Sequence, residues 1–141
     1  VLGDFRDWSS YAADDGTGTQ CFAMTKPKRT EPRPDGFGDA YLYVTNRPGE
    51  DVVAEFNVVA GYVFQTGSVA SVSVGGQSFN LFTQADAAWL DDKAQASTLA
   101  AAIRAGSSLT VEGVAANGTR IVQTYSLSGA TAAQQAIGAE C

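Results

Sequence analysis

Cys21 and Cys141, in a chain of 141 residues that has no histidine, set the chemistry available to this protein. An even cysteine count, with the pair near the two ends, suggests one bridge tying the last residue to the first quarter of the fold, and such a bridge needs an oxidising compartment. The missing histidine removes the commonest general base, metal ligand and pH switch together. A serine nucleophile would have to use a lysine as base, and the only lysines are Lys26, Lys28 and Lys93, with no G-x-S-x-G elbow or S-x-x-K motif. Cys21 could attack only as a free thiolate, whereas a bridge is the expected state.

Paired carboxylates invite comparison with glycoside hydrolysis, which places two acids across a sugar bond. Asp14 and Asp15 are followed by Gly-Thr-Gly and read as turn formers, while Asp91 and Asp92 suit a helix start. Zinc sites want Cys and His, and the stretches DDGTGT and DGFGD lack the spaced ligands and closing glutamate of a calcium loop. The expectation is a protein with no catalytic residues, no metal and no cofactor.

Binding chemistry is better represented. The net charge of −6 argues against nucleic acid, whose phosphates are gripped by clustered Lys and Arg. Lys26, Lys28, Arg29 and Arg33 nevertheless crowd into KPKRTEPR against Glu31 alone, making the one locally cationic stretch. It is the candidate binding site for an anionic partner, set against the plainer reading of a solvated connection. The aromatics Trp8, Tyr41, Tyr43, Tyr62, Trp89 and Tyr125 supply either core or a sugar-stacking face. Exposure of Tyr41, Tyr43 and Trp89 separates those alternatives.

The elements that must position these residues read mainly with period two. AYLYVTNR (40–47) and DVVAEFNVV (51–59) alternate aromatic and β-branched residues, as strands do. In VASVSVGGQSFNLF the pair Gly75-Gly76 signals a tight hairpin that sets Val72 opposite Phe79 and Ala70 opposite Leu81. Asn117-Gly118 signals a second hairpin, with Gly113 expected as a bulge that repairs an untidy register. Asn117-Gly118-Thr119 also matches a glycosylation sequon, although the turn alone accounts for it.

Strands are expected near 5–11, 20–26, 40–47, 51–59, 62–66, 69–74, 77–82, 109–116 and 119–127. Helices are expected over 91–106, ending in a left-handed Gly106, and over 131–138, with a Thr131/Gln134 capping box and a stop at Gly138. Hairpin-linked strands without βαβ alternation predict an all-β fold, an antiparallel, jelly-roll-like β-sandwich with two short helices, as a single domain over 1–141. No apolar run is long enough to span a membrane. Val1 follows no visible signal segment, so the chain is expected to be a mature form with its signal peptide removed.

The order of motifs is itself informative: DW (7–8), Cys21 then Lys26-Pro27, NRP (46–48), AGY (60–62), LF (81–82) and AW (88–89). It continues with AG (105–106), VEG (111–113), NGT (117–119), YSLSGATAA (125–133) and the closing Cys141. This pattern resembles the invasion-associated locus B family of exported bacterial proteins over nearly the whole chain. The resemblance implies a periplasmic or secreted, outer-surface protein with an all-β core and no family catalytic residues to carry over. Members often carry another cysteine soon after the first tryptophan; Tyr11 occupies that neighbourhood here, so one bridge is expected. The leading expectation is a non-enzymatic exported protein that binds an envelope or host-surface component. The alternative is a carbohydrate-binding or glycan-processing β-sandwich.

Overall fold

The computed structural model describes residues 2–14, 16, 18–32 and 37–141. The strands are β1 (Gly3–Phe5), β2 (Trp8–Asp14), β3 (Thr19–Thr25), β4 (Arg29–Glu31), β5 (Tyr41–Arg47), β6 (Val52–Val59), β7 (Val69–Val74), β8 (Gln77–Gln84), β9 (Ala87–Leu90), β10 (Ser108–Val114) and β11 (Arg120–Ser126). Two 3-10 turns, Pro48–Glu50 and Lys93–Gln95, and two α-helices, α1 (Ala96–Ala105) and α2 (Ala130–Glu140), complete the order among the described residues. The strands form one sheet in the order β1-β2-β3-β5-β6-β9-β8-β7-β10-β11-β4.

That order forces the sheet to curl. β3 and β4 stand eight places apart in it, which in a flat sheet would be about 38 Å at ~4.8 Å per strand. Thr25 and Arg29 are four residues apart in the chain, and four residues reach at most about 14 Å. The two ends of the sheet therefore come together, along a seam of hydrogen bonds. Lys28 N donates to Thr124 O at 2.8 Å and Asp7 N to Ser128 O at 3.1 Å. Trp8 Nε1 donates to Ser126 O at 2.9 Å and Ser126 Oγ to Asp7 Oδ2 at 2.5 Å. The expected antiparallel sandwich is thus made from halves of one continuous open sheet.

Trp8, Leu42, Val44, Phe56, Val58, Leu81, Leu109, Ile121 and Tyr125 fill the concave side. Each buried Val, Leu or Phe side chain contributes about 1.5 to 3 kcal/mol. Both helices bury their apolar residues in this same core, α1 through Leu99 and Ile103 and α2 through Ala133 and Ile137. Ser10 Oγ fixes α2 by donating to Ala133 O at 2.9 Å. The Cys21–Cys141 disulfide, with Cα atoms 6.1 Å apart, holds the residue after α2 against β3.

The Gly75-Gly76 hairpin forms as expected, both glycines at positive φ, with Val72 opposite Phe79 and Ala70 opposite Leu81. The second hairpin differs in detail. Gly118 alone takes positive φ, and Ala115 N bonds to Thr119 O while Gly118 N bonds to Ala115 O, the pattern of a three-residue loop. That odd length brings Leu109, Val111 and Gly113 onto the same face as Tyr125, Gln123 and Ile121, so no bulge occurs at Gly113. Gly113 instead makes room: a Cβ there would lie 2.7 Å from the Tyr62 hydroxyl.

Other expectations need correction. The strand expected over 5–11 is broken by a turn in which Arg6 has φ 58°, giving the β1/β2 hairpin. Residues 62–66 form only a single bridge, Phe64 to Ala115, while β4 and β9 went unforeseen. Gly106 is extended, at φ −92° and ψ 170°, because the chain runs straight on into β10. The capping box is absent: Gly129 holds the N-cap of α2 at φ 94°, and the helix passes through Gly138 to Glu140. Thr131 Oγ1 bonds to Arg104 O at 3.2 Å and Gln134 Oε1 accepts from Arg104 Nη1 at 2.8 Å, so both would-be caps tie α2 to α1. Among the described residues no helix is long and apolar enough to cross a membrane.

Candidate functional site

The cationic stretch forms the connection from β3 to β4. Lys26, Lys28 and Arg29 border a shallow cleft of about 200 Å³ that also touches Phe37, Asp39 and Gln123; Arg33 lies outside the described residues. Each of the three is engaged. Lys26 Nζ sits 5.4 Å from the Tyr41 ring centroid, a cation–π distance. Lys28 Nζ is 2.9 Å from Asp7 Oδ1, and Arg29 Nε is 2.8 Å from Glu31 Oε1. The Ser126 hydroxyl and then Lys28 hold the Asp7 carboxyl below its ordinary range. Gln123 is buried, donating from Nε2 to Ala60 O at 2.9 Å. The structure thus gathers the cations, yet two are offset by exposed ion pairs, a geometry that offers little net field to an anion.

Among the acids, Asp14 Oδ1 accepts from Gly16 N at 3.0 Å and Asp92 Oδ1 from Ala94 N at 3.0 Å, turn and cap roles as read from sequence. Asp15 lies outside the described residues.

The aromatics divide cleanly. Trp8, Tyr62 and Tyr125 are core. Burial pushes the Tyr62 hydroxyl up to about 12 and the Tyr125 hydroxyl higher still. Tyr41, Tyr43 and Trp89 are only half-buried, on the convex face of the sheet. Because successive strand residues alternate between faces, Leu42, Val44 and Ala88 point inward and their neighbours outward.

Register then aligns these outward residues. Met24, Tyr43, Asn57, Trp89, Phe82 and Val69 stand directly opposite one another on β3, β5, β6, β9, β8 and β7. Five inter-strand steps make the row about 24 Å long. Tyr11 and Phe22 extend it, stacked at 5.1 Å, with Phe22 edge-on to Tyr43 at 5.9 Å and Tyr41 6.1 Å from Tyr43. Phe82 and Trp89 stack at 5.5 Å, and Phe82 is 43% exposed. Burial of the Tyr43 ring, followed by the neighbouring Tyr41, raises the Tyr43 hydroxyl pKa.

Beside Phe82 and Trp89 opens a cleft of about 420 Å³. Arg47 on its wall is clamped by Glu55 and by Glu50 at 3.2 Å. Tyr11, Phe22 and Phe82 were not singled out from the sequence. The signal was the alternation itself: in TQCFAMT, placing Cys21 inward turns Phe22 outward.

No curated protein matches the chain. Its fold is similar to the crystal structure of invasion associated protein B from Bartonella henselae, with a TM-score of 0.67 at 16% identity, covering 98% of this chain and 95% of that one. The model of the family described as "Invasion associated locus B (IalB) protein" matches residues 8–138, as the order of motifs from Trp8 onward implied, and the chain belongs to that family.

Proposed function

We propose that this protein is exported to the periplasm or outer surface and works there by binding, without catalysis, its partner being an envelope or host-surface component. The observation that carries the reading is the row of aromatic side chains left half-buried on the convex sheet face. Contiguous exposed apolar surface of this kind marks interaction sites, and aromatic residues dominate the energetics of such contacts. The disulfide and the family membership support export to an oxidising compartment.

Photo-crosslinking from position 43 in intact cells tests this. A discrete, saturable adduct that is lost on Phe22→Ser with Trp89→Ser, and kept on Lys26→Ser with Lys28→Ser, is the expected result. An adduct insensitive to the aromatic substitutions overturns the reading. The partial exposure of Tyr41, Tyr43 and Trp89 favours a second reading, a carbohydrate-binding domain in which aromatic rings meet the apolar faces of sugars.

A further inference from the structure

The cleft at the Phe82/Trp89 end of the convex face differs from the rest of the row because charged side chains surround its stacked rings. Arg47, Asp51, Glu55, Phe82, Trp89 and Lys93 all border it. The two rings lie at 22° to one another with centroids 5.5 Å apart, and Phe82 is 43% exposed, so together they form one partly open apolar platform. Arg47 is fixed from both sides by Glu50 and Glu55. A guanidinium has five donors and Glu55 has further acceptor sites, so the pair presents donor and acceptor together, pre-oriented, beside an apolar platform.

We propose that this cleft is a saccharide subsite for uncharged pyranose units, a step that rests on the carbohydrate reading above. A pyranose ring has an apolar C–H face and a rim of hydroxyls, each both donor and acceptor. Stacking on Phe82 and Trp89 takes the first, and the Arg47–Glu55 pair takes the second. Charge selects the class. Two cations, Arg47 and Lys93, meet three carboxylates, Asp51 and Glu55 at the cleft and Glu50 on Arg47, leaving no positive field to reward an acidic sugar. The chain's overall charge of −6 repels one.

The test titrates the intact, oxidised protein with chitotetraose, maltotetraose and 3′-sialyllactose, reading tryptophan fluorescence and calorimetry. Trp8 is 1% exposed, so a ligand-induced change in emission reports Trp89. The expected result is saturable binding of a neutral oligosaccharide, weakened at least tenfold by Phe82→Ala and by Arg47→Met, and unchanged between 0.05 and ~0.5 M salt, beyond the range where exposed charges act. Circular dichroism checks that the variants fold, and Phe82→Tyr should restore binding. Neutral binding indifferent to Phe82→Ala overturns this site while leaving the carbohydrate reading intact. Preference for 3′-sialyllactose with steep salt dependence overturns the neutral class. No binding of any of the three sugars overturns the subsite and the carbohydrate reading together, with the broader binding reading still judged by crosslinking from position 43.

Discussion

Replacing Cys141 by serine isolates what the disulfide contributes. Cys21 is fully buried whereas Cys141 is half-buried, so Cys141→Ser leaves a small apolar thiol in the core and places the new hydroxyl where water can reach it. The other ties of α2 persist: Ser10 Oγ to Ala133 O, and Arg104 to Gln134. The native state should therefore keep its shape, and the loss falls on the unfolded chain, which gains the freedom of a loop closed over a separation of 120 residues. In the loop-entropy model that is about 5 kcal/mol at 25 °C, a large part of the ~5 to 15 kcal/mol by which domains are stable. With a urea slope of about 2 kcal/mol/M, the midpoint should fall by roughly 2.5 M. Urea titrations of the oxidised protein, the reduced protein and Cys141→Ser, followed by tryptophan fluorescence, give the answer. The last two should coincide, and the denatured, unreduced wild type should show no free thiol. A midpoint for Cys141→Ser within about 0.5 M of the oxidised protein would refute the loop argument, because the predicted loss is roughly five times that.

Two glycines at similar positive φ should respond differently to a side chain. Gly118, at φ 87° with no heavy atom within 4 Å of a built Cβ, should cost about 1 to 3 kcal/mol on replacement by valine; Gly129→Ala should cost more, since its Cβ would collide with the Phe5 carbonyl, and equal thermal shifts would contradict this. At high pH, Tyr62 at about 12 and the still higher Tyr125 keep protons that the unfolded chain releases above about 10. Stability should therefore hold below pH ~10 and fall from there towards 12, with Tyr62→Phe flattening the fall. At low pH the sign reverses: Asp7 lies below its ordinary value through Ser126 and Lys28, so its contribution is present above about pH 4 and is lost as pH falls through the depressed value. Asp7→Asn should shrink the difference between urea midpoints at pH 2 and pH 7.

Much of the fold was legible because period two and turn residues are local. Gly75-Gly76 fixed both the turn and the register of β7 with β8, since any slip would have put Val72 and Leu81 on the wet face. What failed was set by contacts distant in sequence. β9 is four residues, AAWL, and pairs with β6 and β8; a run so short has no period to detect. The supposed strand at 62–66 has suitable residues, but Gly61 at φ 80° and the pairing of Gly38 N with Gly61 O bend it away. Thr131 and Gln134 have the spacing of a capping box, and only the position of Arg104 on the neighbouring helix shows why they serve elsewhere. At the candidate site the cationic cluster could be counted from sequence, yet its partner Asp7, 21 residues upstream of Lys28, could not be foreseen before the sheet closed. The aromatic row needed register across six strands, of which sequence supplied one hairpin.

The two halves of the convex face argue that this row is specific to one side. Across β4, β11, β10, β7 and β8 the directly opposed outward residues are Arg29, Thr124, Thr110, Ser73 and Ser78, with Ser73 and Ser78 hydroxyls bonded at 2.9 Å and Arg120 paired to Glu112 nearby at 2.9 Å. That side is the polar exterior expected of a sheet with one face in water. The same sheet, continued through β9, β6, β5 and β3, turns outward Trp89, Tyr43, Phe22 and Met24 instead. Core packing cannot be the cause, because both helices are spent on the concave side and the disulfide holds the residue after α2 there. Strand propensity cannot be the cause either, since threonine suits a pleated surface as well as tyrosine does and is used on the polar half. A chain that closes its core and finishes one outer face with hydroxyls and ion pairs, while leaving the other aromatic, carries on that second face surface that folding alone does not require, and it is this surface that the proposed binding would use.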